Sequence, residues 1–476
     1  MAVKTLRLLI LVFLLFPVSC EGLQAARSLK ASPLPSEEAR VLFYIHSTSL
    51  APADIEFTIS SISLEDGAGM GVNVVDKPAE INSLELVDRQ ILLKEAFVSP
   101  GSYAGIRLGI SSASIKSGEA RASLSLKEGR GEFFLPLPLN LKRGESFVIA
   151  IEWNPDNSIE QRYIFAPALT LEPQSKSPRD LLLFVSNSAD NYISVIDRSL
   201  ERVIAATTVG RNPMGMALNS TGDTLYVVNS GDRTVSVVDA ANFDVRDTVN
   251  ISSGVSPSDV TFVPDFDGSI DGKLYVVNRL SNDVTVVGTL SKRVLKTVAV
   301  GRHPSHIISD AERKEVYVTN GLSNNLSVIS TVDDTVVSTI EVDNAPSGAA
   351  TGDGMVYVFN EGSSTISVVS PAKRGVEETL MFSKSPERGL GGFSGRLFVA
   401  NTASDSVTFL NSSLVVTNTV IVGRNPTGLA ADEERNRLYV TNSGGDTVSI
   451  LDPVGEMAVK ELTVGKGPYG VVQLDR

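Results

Sequence analysis

Seven prolines recur through the second half of the chain, at Pro213, Pro257, Pro304, Pro346, Pro386, Pro426 and Pro468. Two residues after each, four units carry Gly (Gly215, Gly348, Gly428, Gly470), and three carry Asp259, His306 and Arg388. A carboxylate, an imidazole and a guanidinium at one repeat position are the residue types of a ligand site, or of a hydrolytic one. In the hydrolytic case His306 would be the base beside Asp259, and Arg388 would hold an anion. Glu387 precedes Arg388, His303 lies in the turn before His306, and Tyr469 precedes Gly470 at the same repeat position, so all three extend the set. The alternative is drift of a repeat on a tolerant, solvated rim. A second candidate is the stretch Asp265-Phe-Asp-Gly-Ser-Ile-Asp-Gly272, where Asp265, Asp267 and Asp271 alternate with turn residues and offer hard oxygens to Ca²⁺. It lacks the distal Glu of an EF-hand loop, and a plain acidic surface loop accounts for it as well. No other cofactor is expected.

Positioning these residues is the task of a repeat. Asn187, Asn229, Asn278, Asn320, Asn360, Asn401 and Asn442 are spaced by 42, 49, 42, 40, 41 and 41 residues, and each closes a short apolar run. Seven residues after every one lies Ser194, Ser236, Thr285, Ser327, Ser367, Thr408 or Ser449. A period in the low forties built from strand-like runs marks a radial β array. Each unit reads as four strands: A after the Pro, B ending at the Asn, C around the hydroxyl, D before the next Pro. The region starts on a B strand and ends on an A strand, so seven complete sheets form only if the C-terminal strand joins the first three. Closure of that kind leaves no open inner edge. The D–A and B–C turns then share one rim, with Asn and Asp expected to brace turns through their side chains, Gly to supply positive φ, and Arg211, Arg302, Arg424 and Lys466 to stay solvated. The three repeat-breaking residues fall around the mouth of the central channel. The spacing of 49 places the Asp265–Gly272 insertion in an A–B loop.

Tyr317-Val-Thr-Asn320 and Tyr439-Val-Thr-Asn442 carry the tetrapeptide that names the YVTN β-propeller repeat family, and residues 181–476 resemble it in all seven units. That resemblance implies a seven-bladed propeller. Related propellers include lactone hydrolases and cofactor-dependent oxidoreductases, so it implies no single chemistry.

Ahead of the repeats, residues 38–172 alternate short β-rich runs with turns and show no helical period, which predicts a β-sandwich. Ala51-Pro-Ala-Asp54, Pro100-Gly-Ser-Tyr-Ala-Gly-Ile-Arg-Leu108, Leu141-Lys-Arg-Gly144 and Tyr163…Pro167 resemble a family of bacterial lipoprotein domains of unknown function. Glu152-Trp153-Asn154 stands where that family favours an acidic–aromatic–acidic triplet. Trp153 suits core or rim packing, or a sugar-stacking platform. Tyr103 is expected under the Pro100-Gly101 turn, and residues 173–180 form a polar linker. The fold expected is therefore all-β: a sandwich followed by a seven-bladed propeller closed by the C-terminal strand.

Residues 1–19 read as an export signal, with Lys4 and Arg7 before an apolar stretch from Leu8 to Phe16. Phe16-Pro-Val-Ser-Cys20 resembles the lipobox of bacterial lipoproteins, with Pro17 where Leu is usual. The resemblance implies acylation of Cys20, a membrane anchor, and residence in the bacterial cell envelope, at the outer membrane or cell surface. Residues 20–37 would form the tether. Cys20 is the only cysteine, which excludes disulfides, thiolate metal sites and covalent haem. Three histidines are too few for a histidine-rich copper centre, and no Gly-x-Ser-x-Gly, Walker or His-Glu-x-x-His motif is present. The net charge of −13 argues against nucleic acid as a partner. A non-enzymatic module binding a protein, polysaccharide or small ligand is the leading expectation. A lactonase-like hydrolase and a structural envelope component are the alternatives.

Overall fold

The computed structural model describes residues 37–474 apart from 75–76, 130, 252, 266–270, 383 and 393–394; Cys20, the export signal, residues 20–36 of the tether and Asp267 lie outside the described residues. Among the described residues there is no α-helix. Two sheets make the N-terminal sandwich. One orders Ala168–Pro173, Ser146–Asn154, Ala39–Ser47 and Gln90–Val98; the other is built around Gly101–Ser117 and Asp54–Glu65. Alternation along Asp54–Glu65 sends Ile55, Phe57, Ile59, Ile62 and Leu64 inward. Trp153 is core: it is fully buried, stands edge-on to Phe57 at 4.8 Å and donates its indole N–H to Ser158 Oγ at 2.8 Å. The core-packing reading holds, and the sugar-platform alternative does not. Tyr103 does reach the turn it was expected to support, donating to Ser99 O at 2.7 Å.

Seven four-stranded antiparallel sheets follow. The last strand, Pro468–Gln473, pairs with Leu182–Asn187 through Leu183↔Gln473, Phe184↔Val472 and Val185↔Val471. This makes blade 1 complete and closes the ring. We number the blades from there, so that blade 2 runs from Pro213, blade 3 from Pro257, blade 4 from Pro304, blade 5 from Pro346, blade 6 from Arg388 and blade 7 from Pro426. Each A strand touches those of both neighbours, forming an inner ring. B strands such as Glu315–Asn320 are buried along their whole length, because each is covered on both faces by adjacent blades.

The seven repeat asparagines are fully buried and do more than brace a turn. Asn320 Nδ2 donates to Ser327 Oγ at 2.9 Å, and all six others make the same bond to the hydroxyl seven residues on. The glycine expectation also needs correction. Positive φ in the D–A turns falls on the residue before Pro (Asn212 52°, His303 56°, Asn425 52°), which is a glycine at Gly467 (62°), and not on the Gly of Gly-Arg-Asn-Pro. That Gly is required for space: a Cβ on Gly301 would stand 2.6 Å from Asn320 Cγ. At the opposite rim, B strands reach the next blade's C–D turn through ion pairs, Lys273–Asp334 at 2.9 Å and Arg437–Glu201 at 3.0 Å.

The sandwich is joined to blade 1 by a packed seam. Leu42, Tyr44 and Val148 bury against Leu183, Val185, Tyr192 and Val203, each apolar side chain contributing about 1.5–3 kcal/mol. Arg40, 1% exposed, bonds Asp190 O at 2.6 Å and stacks over Tyr192. Gln90 pairs with both backbone groups of Val203. Gln174 in the polar stretch 173–180 accepts from Ala206 N at 3.2 Å, so that stretch is docked at this point rather than a free spacer. The outer strand of blade 1, Arg202–Thr208, is consequently buried, whereas Arg293–Ala299 of blade 3 is almost wholly exposed.

Candidate functional site

Asp259, His306 and Arg388 do converge. Each lies at or near the start of an A strand, on the rim of the D–A turns, where the Pro-initiated strand turns its second following residue inward. His306 Nδ1 contacts Asp259 Oδ2, and Arg388 Nη1 lies 2.8 Å from the same ring nitrogen. Arg388 Nη2 donates to Tyr469 Oη at 2.6 Å, and its guanidinium lies 5.0 Å over the Tyr469 ring. Arg388 belongs to blade 6, His306 to blade 4 and Tyr469 to blade 1. These contacts skip blades 5 and 7, so they span the channel. Glycines on the intervening blades make room: a Cβ on Gly348 would meet Glu387 O at 2.4 Å, and one on Gly215 would meet Asp259 Oδ1 at 2.2 Å.

The set is a plug rather than an open site. Side-chain exposure is 8% for Asp259, 15% for His306 and 12% for Arg388. Asp259 also accepts from Val260 N at 3.0 Å and Ile307 N at 3.3 Å. Burial pushes its carboxyl up, but the His306 ring and the Arg388 guanidinium more than reverse this and hold it below the usual Asp range. Burial pulls the Arg388 guanidinium down, and Tyr469, Asp259 and Glu387 outweigh it, so its proton is held more tightly than usual. In this arrangement His306 does not present a free base. Both nitrogens of His306 are engaged, the second 3.2 Å from Ala349 O, so no lone pair faces a substrate. Arg388 spends both terminal nitrogens inside the plug.

Above the plug the character changes. Arg279 Nε donates to His303 Nε2 at 3.0 Å, and burial followed by the Arg279 charge lowers the His303 pKa. Glu361 is exposed on its turn; partial desolvation, then the Glu387 charge, raises its carboxyl, with Arg279 opposing. Among the described residues, Arg279, Glu361 and Glu387 form no ion pair within 4.0 Å. Leu280 (63% exposed) and Leu322 (57%) stand on the neighbouring turns. Arg279 and Glu361 escape a search keyed to Pro. The signal that finds them is the residue after each repeat Asn, which is Ser, Ser, Arg279, Gly, Glu361, Thr and Ser in the seven units.

At the far end of the channel, cavities of about 580 and 390 Å³ meet at Gly391 and Gly392. Asp265 and Asp271 flank the inserted loop, with Asp265 N donating to Asp271 O at 3.0 Å. Among the described residues no group of three or more His, Cys, Asp or Glu is arranged to hold a metal.

No protein-family model matches the chain, and no curated protein matches it. Solved structures do. A functionally unknown protein from Desulfotomaculum acetoxidans aligns with 61% of this chain and 98% of its own at 11% identity and a TM-score of 0.54. Hydrazine synthase of Kuenenia stuttgartiensis aligns with 56% and 90% at 22% identity and a TM-score of 0.48. An inactive virginiamycin B lyase from Staphylococcus aureus aligns with 53% and 84% at 14% identity and a TM-score of 0.45. At such identities the likeness is one of fold, and the fold is a β-propeller.

Proposed function

We propose that this chain is a binding protein of the YVTN-repeat type, held in the bacterial envelope by a lipid on Cys20, whose partner seats on the D–A rim at the channel mouth. One observation carries the site: Arg279, His303, Glu361 and Glu387, from the rim turns of blades 3 to 6, gather at one end of the channel, and three of them are without an ion pair among the described residues. Some charges elsewhere on the propeller are paired between blades, as at Lys273–Asp334. Charged groups held together without partners are the usual composition of a ligand site. The plug supplies a rigid floor. The anchor rests on the apolar stretch before the sole cysteine, and the partner is a protein, a polysaccharide or a small envelope ligand.

The test compares the acylated chain with an Arg279→Gln/Glu361→Gln/Glu387→Gln variant in pull-downs from native envelope. The variant should melt as the parent does and lose the specific partner. A partner retained by the variant overturns the mouth reading. Loss of lipid incorporation in Cys20→Ser tests the anchor, and unchanged membrane association would refute it.

A further inference from the structure

Resting on the reading of the D–A rim as the binding face, we infer that its turns on blades 3 and 4 form a docking patch for an acidic protein segment that carries apolar side chains. These turns depart from their counterparts on the other blades. Two residues past each repeat Asn, five units carry only Gly or Ala, whereas blades 3 and 4 carry Leu280 and Leu322. On blades 2 and 7 nothing larger has room: a Cβ on Gly231 would stand 2.9 Å from Arg211 Cβ, and one on Gly444 2.3 Å from Asn425 Oδ1. The two leucines instead stand in solvent, 63% and 57% exposed. Their turns are joined through one residue. Arg279 Nε donates to His303 Nε2 at 3.0 Å, and Gly321 N donates to His303 O at 3.0 Å. His303 is itself fixed by its N–H bond to Asn282 Oδ1 at 2.8 Å.

One further departure from the repeat frees a charge beside the leucines. On blade 2, Asp232 caps the D–A turn by accepting from Arg211 N at 2.6 Å, and it also pairs with Arg211 Nε at 2.5 Å. On blade 1, Asp190 accepts from Lys466 N at 2.7 Å and lies 3.8 Å from its Nζ. Blade 4 has Ser323 at this position. Its hydroxyl keeps the cap, accepting from Arg302 N at 2.7 Å, but offers the guanidinium no counter-charge. Arg302 is exposed and donates through Nη2 to Leu322 O at 3.1 Å, so its charge lies directly beside the apolar tip. Among the described residues neither Arg302 nor Arg279 forms an ion pair within 4.0 Å. A partner's carboxylate would replace the missing Asp, and its apolar side chains would cover the leucines. A short segment meets only these local cations. An extended anionic bilayer would meet a chain of net charge −13 and be repelled by it.

Fluorescence anisotropy on the intact chain tests this with a labelled peptide in which Asp alternates with Leu. Two counterparts separate its parts, one with Lys for Asp and one with Ser for Leu. The Asp-Leu peptide should bind about tenfold or more tightly than either, the effect of one charge-assisted contact or one covered apolar side chain. Ser323→Asp restores the blade 2 arrangement, so it should recapture Arg302 and weaken that peptide about tenfold. Leu280→Ala/Leu322→Ala should erase its advantage over the Ser counterpart. Arg424→Gln, on a rim turn without a leucine, should change nothing, and all these turn variants should melt as the parent does. Equal binding of either counterpart, or an affinity unmoved by Ser323→Asp, overturns the acidic segment. So does a patch that binds phosphatidylglycerol vesicles, or a second copy of the chain in sedimentation, but not the peptide. A native envelope partner retained by the triple mouth variant overturns the mouth reading, whereas lost discrimination among the peptides overturns this inference alone.

Discussion

Replacing Asp259 by Ala tests whether the channel plug is a stabilising network. The carboxylate is nearly buried and flanks both His306 Nδ1 and Arg388 Nη1, two nitrogens that are themselves 2.8 Å apart. With the carboxylate gone, two basic groups confront each other in a poorly hydrated channel. The Arg388–Asp259 separation of 3.6 Å corresponds to about 4–5 kcal/mol at an effective dielectric near 20. Removing one partner of a buried charged set costs about 3–5 kcal/mol, so the single variant should lose that much stability. The variant Asp259→Ala/His306→Ala/Arg388→Ala removes every charge together and should lose less, about 1–2 kcal/mol, because nothing is left unpaired. Alanine avoids the extra backbone entropy that the repeat's own glycine would add. Urea unfolding at neutral pH, read by midpoint and slope, measures both. Because the Asp259 pKa is depressed in the fold, its contribution is present above the ordinary Asp range and should fade as the pH falls below that range. A triple variant at least as destabilised as the single one would refute the network, and so would a pH-independent difference.

Removing residues 466–476 should expose the edge of Leu182–Asn187 and give an aggregating protein with a lower melting temperature; a monomer melting like the parent would contradict closure at this strand. His46 lies in the seam, its ring 3.1 Å from Arg202, and burial followed by the Arg202 charge lowers its pKa to about 4. The unfolded chain therefore binds a proton that the fold rejects, and stability should fall by up to about 3 kcal/mol as the pH drops from 6.5 to 4. His46→Gln should flatten that part of the urea-midpoint profile. Asn320→Leu should cost about 1–3 kcal/mol by leaving Ser327 and Asn325 without their buried donor, and a neutral effect in denaturant titration would show the repeat bond to be dispensable.

The blade count, the closing strand and the convergence of Asp259, His306 and Arg388 were all legible before any coordinates, for one reason. They are consequences of register: identical repeat positions occupy identical places in identical sheets, so a residue's distance from Pro or Asn states where it lies on the ring. The wrong expectations concerned single side chains. Glycine was expected to supply positive φ in the D–A turns, and Gly467 does, but Gly301 instead makes room for Asn320, 19 positions away. Trp153 kept a surface option until the sandwich core enclosed it. Tertiary structure alone decided that the plug residues satisfy one another, since this depends on the channel width and on glycines in intervening blades. It alone decided that Arg279, Glu361 and Glu387 stay apart. The seam also had no periodic signature, because Arg40 meets Asp190 and Gln90 meets Val203 over more than a hundred residues of chain. Periodicity reports what every unit shares. The differences between units act only through neighbours that folding brings together.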